Sequence, residues 1–150
     1  MDDQLPKSKL NVITIVVDGV RFDRAKLFPN FKALFNKGTL FSNMITYAPY
    51  TIASLYSIFT GTYGSHNGVD NYYGSKKYKQ NEFKTIAQYL KEANFFTFGD
   101  LLNDVVAPRG GFNKIIIQGQ DYDCPQEHCK MLDEANKIGP DENFFLFLHY

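Results

Sequence analysis

The chain has 150 residues, enough for one domain with its own hydrophobic core, and its 16 basic and 16 acidic side chains cancel. Because no overall field attracts polyanions, this balance argues against nucleic acid or an anionic membrane surface as a partner. A hydrophobic fraction of 44% with 16% aromatic residues excludes a disordered chain.

The N-terminal segment does not have the pattern of a targeting signal. Residues 1–10 are mostly polar, and we expect them to be flexible. The apolar stretch that follows spans only about eight residues before an acid, too few for a signal peptide or a membrane span. Two cysteines do not indicate a disulfide framework. The sequence therefore predicts a cytoplasmic protein with no membrane span.

Three elements are predicted before residue 50. Residues 12–18 are rich in β-branched side chains and, apart from Thr14, apolar on both faces, which predicts a central parallel strand. Residues 29–38 predict a helix with proline near its start and glycine as its stop. Residues 39–47 resemble a second strand.

A helix and a long loop are predicted next. Apolar side chains at positions 52, 55, 56 and 59 form the stripe of a helix packed on a sheet, and Gly61 ends it. Residues 61–82 are rich in Gly, Asn and Tyr without a sustained period. They predict a long loop, a feature that is often functional in compact domains.

The second half of the chain continues the alternation. It predicts helices over 83–93 and 125–138, the latter stopped by Gly139 and Pro140, and strands over 95–98, 115–117 and 143–150. The alternation predicts an α/β fold with a mostly parallel sheet sandwiched by helices, in one domain over residues 1–150. Because no helix follows the last apolar strand to cover it, we expect the chain to be the N-terminal part of a longer domain.

Asp18 and Thr51 are the first candidate pair for chemistry. An acid at the carboxyl end of a buried strand lies where open α/β sheets bind ligands. A hydroxyl at a helix start faces backbone N–H groups suited to an anion. The pair therefore predicts a site for a phosphate or sulfate ester. The alternatives are that Asp18 caps the turn at Gly19 and that Thr51 caps its helix.

A second candidate cluster lies near the last predicted helix. Cys124, His128 and Cys129 are three potential zinc ligands, but the spacing is unusual and no fourth donor lies nearby. The alternative is an ordinary helix that carries a part-buried thiol.

Several ordered motifs carry a resemblance to a known family. They are Asn-Val-Ile-x-Ile-x-x-Asp-x-x-Arg-x-Asp from Asn11, then Ala-Pro-x-Thr-x-x-Ser-x-x-Ser-x-Phe-Thr-Gly-x-Tyr from Ala48, then His-Asn-Gly-Val from His66. In this order they resemble the N-terminal part of the sulfatase family, within the alkaline phosphatase superfamily. The match runs from about Asn11 to Val69 and more loosely to Phe112.

The resemblance implies an alkaline phosphatase/sulfatase-like sheet and a metal-assisted site. It makes Asp18 a metal ligand and Thr51 the nucleophile, whose oxygen also binds the metal. A divalent cation lowers the pKa of such a hydroxyl and neutralises charge on the ester. The cofactor is thus a divalent metal ion (Zn, Mn, Mg or Ca), and the partner is a small-molecule or glycan phosphate or sulfate ester.

Departures from the family pattern redirect the expected chemistry. Sulfatases carry Cys or Ser at the position of Thr51, in a motif whose Pro and Arg are replaced here by Ala53 and Leu55. Threonine cannot yield their catalytic aldehyde. Val17 replaces a second acid, and Asp100 stands at the position of a catalytic Lys. A Thr nucleophile resembles the phosphodiesterase and phosphoryl-transferase branch instead.

Further residues are assigned to substrate binding. Arg21 contacts a bound anion or is a solvated turn residue, and Ser54, one helical turn after Thr51, lines the site or only packs. His66 lies where sulfatases place a His-x-His-Gly segment, and Asp23 more simply caps a turn.

Two regions have weaker assignments. The loop lysines and tyrosines form a basic aromatic lip for a sugar or nucleotide, or else an exposed loop: Lys76, Lys77, Lys79, Tyr72, Tyr73 and Tyr78. His149 contributes to the site or is a sheet histidine with a satisfied hydrogen bond.

Two functions of different class follow. The first is a metal-dependent hydrolase or transferase that acts on phosphate, phosphodiester or sulfate esters through Thr51. The second is a non-catalytic sulfatase-like domain that binds an anion or a partner protein.

Overall fold

The computed structural model describes residues 10–119, 122–139 and 141–150. Nine of the ten residues predicted as a flexible N-terminus, and Pro140 of the predicted stop signal, lie outside these ranges. Within them, no helix is long and apolar enough to cross a membrane.

Four parallel strands form the sheet. They are β1 (Val12–Val16), β2 (Phe95–Leu101), β3 (Lys114–Ile117) and β4 (Asn143–His149), in the order β1-β4-β2-β3. Every neighbouring pair is parallel, as the alternation of strand and helix patterns predicted. β4 lies inside the sheet, which agrees with its almost unbroken apolar sequence.

The helices follow the predicted order. They are α1 (Phe22–Ala25), α2 (Pro29–Lys37), α3 (Thr51–Thr60), α4 (Gly64–Asn67), α5 (Ile86–Glu92) and α6 (Cys124–Asn136), with a 3₁₀ turn at Gly74–Lys77. Gly61 ends α3 in the left-handed conformation. A capping box between Thr85 and Gln88 starts α5, three residues later than residue 83, where the periodicity predicted its start.

The sheet is covered on both faces, which confirms the predicted α/β sandwich. On one face, Leu55 and Phe59 of α3 and Ala87 of α5 pack on Phe145 and Phe147 of β4. On the opposite face, Met131 and Ala135 of α6 pack on alternate residues of β2 and β4: Phe98, Phe144, Leu146 and Leu148. Successive residues of β4 therefore point to different helices.

Two strand predictions need correction. β1 is an edge strand and not a central one, and its Ile13 and Ile15 side chains are 46% and 54% exposed because α6 packs on β2 and β4 instead. Residues 39–47 form no strand, since their backbone has no neighbouring strand among the described residues. Ile45 in that segment is 92% exposed.

The predicted loop over 61–82 is more ordered than its composition suggested. It contains α4 and the 3₁₀ turn, and Asn67 and Val69 are fully buried. The Asn67 side chain accepts from the Val69 N–H at 2.9 Å and donates to Thr60 at 3.1 Å. Asn67 therefore fastens the loop to the end of α3.

Candidate active site at the carboxyl edge of the sheet

Asp18 and Thr51 come together at the carboxyl edge of the sheet. Thr51 Oγ1 donates a hydrogen bond of 2.7 Å to Asp18 Oδ2, across a separation of 33 residues. The Asp18 main-chain N–H donates to the Tyr150 carbonyl at 2.9 Å, and the Tyr150 N–H donates to the Val16 carbonyl at 2.8 Å. These bonds extend the β1–β4 ladder as far as Asp18 and fix its backbone.

Thr51 does not cap its helix. Tyr50 is the N-cap residue of α3 and makes no side-chain capping bond, while Thr51 is the first helical residue. Its hydroxyl is directed to Asp18. The alternative that Thr51 simply caps its helix is therefore wrong, since its hydroxyl is bonded to Asp18 instead.

The surroundings of Thr51 favour negative charge on a ligand. The first N–H groups of a helix have no internal partner, and the helix dipole is positive at this end. Thr51 is half-buried and Asp18 is exposed. A ligand thus reaches both side chains from solvent.

Asp18 and Thr51 offer the type of donor atom that binds a divalent cation, but two donors are too few. A carboxylate and a hydroxyl are the oxygen donors that Mg²⁺, Mn²⁺ and Ca²⁺ prefer. A stable site needs three or more protein ligands. Within the described residues, no group of three or more His, Cys, Asp and Glu side chains could hold a metal. The two side chains alone are therefore too few for a stable metal site.

His149 is fully buried at the end of β4 on the same face as α3. The residues that alternate with it, Phe145 and Phe147, both belong to the α3-face core. Both ring nitrogens of His149 are buried, and neither has a hydrogen-bond partner in the described part of the chain. Burial lowers its pKa, and the negative charges of Asp18 and Asp100 oppose that shift. The hydrogen bond expected for a satisfied sheet histidine is not found among the described residues.

A separate polar cluster lies on the opposite face, centred on Asp100. The carboxylate of Asp100 is fully buried and accepts from Gln118 Nε2 and from the Tyr122 hydroxyl, and His128 Nε2 lies 3.3 Å from it. Burial, followed by the hydrogen bond to Asp100, raises the pKa of Tyr122. Gln118 also donates to the His149 carbonyl at 2.6 Å. The Asp100 side chain thus points away from Thr51 and ties the strand ends together.

Sequence reasoning missed this cluster because its members are far apart in the chain. The fold brings Asp100 at the end of β2, Gln118 after β3 and His128 of α6 to one place. The sequence does contain one signal for the position of Asp100. Because side chains alternate along β2, Asp100 must lie on the same face of the sheet as Phe98.

The candidate zinc cluster is not assembled within the described residues. Cys124 Sγ lies 3.6 Å from His128 Nε2, while Cys129 is exposed. His128 faces Asp100. The helix with a part-buried thiol therefore describes this region better.

The residues predicted to bind substrate each contact other parts of the chain. Arg21 forms a two-bond pair with Asp23 at 3.0 and 2.9 Å, and both side chains are largely exposed. Ser54 Oγ donates to the Ala48 carbonyl at 2.9 Å. Ser54 and the exposed His66 line a common groove of about 1120 Å³ with apolar neighbours such as Ile45.

The predicted basic aromatic lip is only partly assembled. Lys76 and Tyr78 line a polar cavity of about 720 Å³ together with Tyr56 and Arg109. Lys79 instead lies 3.6 Å from Glu82. The Tyr72 ring lies 6.1 Å from the ring of Tyr50, at the start of α3, and 5.0 Å from the ring of the largely exposed Tyr73.

Solved structures with the same fold come from two kinds of enzyme. BT4656, solved with its substrate D-glucosamine-2-N,6-O-disulfate, superposes with a TM-score of 0.77 at 18% identity, over 94% of this chain and 34% of that one. Murine ectonucleotide pyrophosphatase/phosphodiesterase 5, an inactive threonine-to-alanine variant with AMP, superposes with a TM-score of 0.68 at 16% identity, over 94% and 43%. The unliganded murine protein gives 0.67 at 16%, over 93% and 43%.

These likenesses establish the fold, and the chain spans only about a third to two fifths of the length of those structures. No curated protein sequence matches it. The sulfatase family model matches residues 10–150, nearly the whole chain. The chain therefore belongs to the sulfatase family.

Proposed function

We propose that this chain forms the N-terminal part of a metal-dependent hydrolase or transferase that acts on phosphate or phosphodiester esters, with Thr51 as the nucleophile. The observation that carries the proposal is the 2.7 Å hydrogen bond between Thr51 Oγ1 and Asp18 Oδ2, at the first residue of a helix and at the carboxyl edge of the sheet. Nucleophile, proton acceptor and anion-stabilising helix start then occupy one place.

The chemical step follows from these positions. Thr51 Oγ1 attacks phosphorus, its proton passes to the Asp18 carboxylate, and the P–O bond to the leaving group breaks. Helix N–H groups at the start of α3 stabilise charge on the transferring oxygens. Attack on phosphothreonine by water completes hydrolysis, and attack by an acceptor hydroxyl completes transfer.

A divalent metal ion held in part by Asp18 and Thr51 supplies charge neutralisation and a lower pKa for the hydroxyl. The metal identity, among Zn, Mn, Mg and Ca, is left open by a carboxylate and a hydroxyl.

Two comparisons support ester chemistry of this class. A threonine-to-alanine variant of the murine phosphodiesterase is inactive and was solved with AMP, while BT4656 was solved with a sulfated glucosamine. Because threonine cannot form the aldehyde of sulfatases, phosphate esters are favoured over sulfate esters. We propose a small-molecule or glycan ester as the substrate and the cytoplasm as the location.

One observation favours a second function. The described residues supply no group of three His, Cys, Asp and Glu side chains for a metal. A sulfatase-like domain that binds an anion without turnover would not need such a group of metal ligands.

The test is hydrolysis of an aryl phosphodiester by the purified full-length protein with and without divalent metal. Thr51→Ala should lower kcat by about a thousand-fold or more, because no other group replaces the nucleophile. Thr60→Ala, in the last turn of the same helix, should keep wild-type turnover. Full activity of Thr51→Ala would contradict the nucleophile assignment, and absence of turnover in the wild type would favour the binding domain.

A further inference from the structure

His149 is a buried side chain whose polar atoms, like Ser57 Oγ, find no hydrogen-bond partner among the described residues. It is fully buried, and neither Nδ1 nor Nε2 has a hydrogen-bond partner among the described residues. An unpaired buried polar atom destabilises the folded state, so native proteins pair nearly all of them. An unpaired imidazole at a sheet edge that carries a candidate site points to a missing ligand.

The position of His149 relates it to Thr51. The Phe147 ring contacts Phe59 of α3 at a centroid distance of 4.8 Å, and the His149 ring follows 6.3 Å from Phe147. His149 therefore continues the row of side chains that underlies α3 towards the carboxyl edge, where this helix begins.

Asp18 approaches His149 from the neighbouring strand. His149 is in register with Val16 of β1, two residues before Asp18, and the Asp18 N–H binds the carbonyl of the next residue, Tyr150. The charge of Asp18 acts on the imidazole. His149 thus lies on the strand next to the one that carries Asp18, one residue before the contact that holds the Asp18 backbone.

His128 provides the contrast. It is equally buried, but its ring lies 3.3 Å from the Asp100 carboxylate on the opposite face. The chain therefore can satisfy a buried histidine, and it does so away from Thr51.

We infer that His149 contacts the ligand of this site, its ring N–H donating a hydrogen bond to an oxygen of the tetrahedral phosphate or sulfate group held at Thr51. In either protonation state an imidazole has at least one N–H. With the first N–H groups of α3, it would surround the oxyanion with donors from two sides. The inference rests on the proposed function, since it places the ligand at the same residues.

The experiment uses histidine-labelled protein and inorganic phosphate as the probe. The chain has three histidines, so His→Gln variants assign every imidazole resonance. Titration with phosphate, in the presence of Mg²⁺ or Zn²⁺ and without either, should shift the His149 resonance saturably and leave His128 in place. A His149 resonance that does not move while phosphate binds would overturn the inference, and an internal water would then be its partner.

Two variants add an independent readout. His149→Leu and His149→Gln should each weaken phosphate binding by about ten-fold or more, as expected for loss of a hydrogen bond to a charged group. His149→Leu should also have an unfolding midpoint equal to or above the wild type, because an unsatisfied group is removed. Unchanged phosphate affinity in both variants would contradict the assignment. If they fail to fold, the titration of the wild type still decides.

Failure of the inference and of the proposed function can be told apart. If Thr51→Ala retains turnover while the His149 resonance responds to phosphate, the nucleophile assignment fails and the inference stands. If Thr51→Ala abolishes turnover while His149 stays silent, only the inference fails.

Discussion

At the position of Thr51, residue type and location together decide the chemistry. The sequence places a hydroxyl at a helix start, which describes both a cap and a nucleophile, and pattern alone left these alternatives open. The fold excludes the cap, because Thr51 Oγ1 donates to Asp18 rather than to a backbone group, and leaves the nucleophile as a proposal. That contact joins residues 33 apart, which no local pattern encodes.

For several single residues, the sequence was insufficient to predict the contacts of the side chain. Arg21 and Ser54 are predicted to meet a ligand, and the sequence did not predict their contacts with Asp23 and with the Ala48 carbonyl. Asp100 was recognised as a departure from the family pattern, and its role in a buried cluster depends on residues from β3 and α6. Tertiary partners determined these outcomes.

Stability should depend on pH through His149. Burial lowers its pKa below the ordinary value of 6.5, so the unfolded chain takes up the proton first as the pH falls. Its contribution to the free energy of unfolding is therefore present above pH 6.5 and is lost as the pH falls through 6.5 towards the folded pKa. Urea denaturation of metal-free protein at about pH 7.5 and about pH 5.5 measures this loss.

The matched variants for this prediction are His149→Leu and His66→Gln. His149→Leu should lose less stability than the wild type between the two pH values, because no buried imidazole remains to be protonated. His66 is exposed, so its variant should follow the wild type. If the stability of His149→Leu and of the wild type depended equally on pH, His149 would not be the source of this pH dependence.

At the scale of elements, the strong periodic patterns were sufficient to predict helices. The stripe at positions 52, 55, 56 and 59 became α3, with Leu55 and Phe59 in the core, and Pro29–Lys37 became α2 as predicted. The predictions of a central β1 and of a strand over residues 39–47 were wrong, because an apolar run does not reveal whether a neighbouring element covers it. Their placement depends on where β4 and α6 lie.

The connection between β2 and β3 depends on Gly111. It has φ of +99°, and a Cβ there would lie 2.2 Å from the Gln88 backbone nitrogen in α5. Gly111→Ala should therefore lower the free energy of unfolding by roughly 2–3 kcal/mol, through backbone strain and steric overlap.

Gly119→Ala is the matched control for this change, because no described residue beyond its chain neighbours lies within 4 Å of its Cβ position. Urea denaturation of the two variants compares them directly. Equal stability of Gly111→Ala and Gly119→Ala would show that α5 and this connection do not pack as described.

At the scale of the whole molecule, the parallel sheet carries polar side chains on both faces of its carboxyl edge. Asp18, Thr51 and His149 lie on the α3 side, while Asp100, Gln118 and His128 lie on the α6 side. The Gln118 contact with the His149 carbonyl connects the two groups. We infer that the α6-side cluster holds the end of β4, and through it the backbone of Asp18.

The family and the fold class were predictable from the whole sequence, because the ordered motifs and the alternation of elements are spread along it. The family model over residues 10–150 confirms the first, and the four-stranded parallel sheet with its covering helices confirms the second. The site was predictable only as a pair, since Asp18 and Thr51 each end or start an element. His149 required knowledge of which face of β4 meets α3.

The most direct test of the central claim is rapid acid quenching of the full-length protein during turnover of a phosphodiester with divalent metal, followed by mass spectrometry of its peptides. We predict a phosphoryl ester on the peptide that contains Thr51, at that side chain, and its absence in Thr51→Ala. Turnover at an undiminished rate without any modification of Thr51, or with the ester on another residue, would contradict the account.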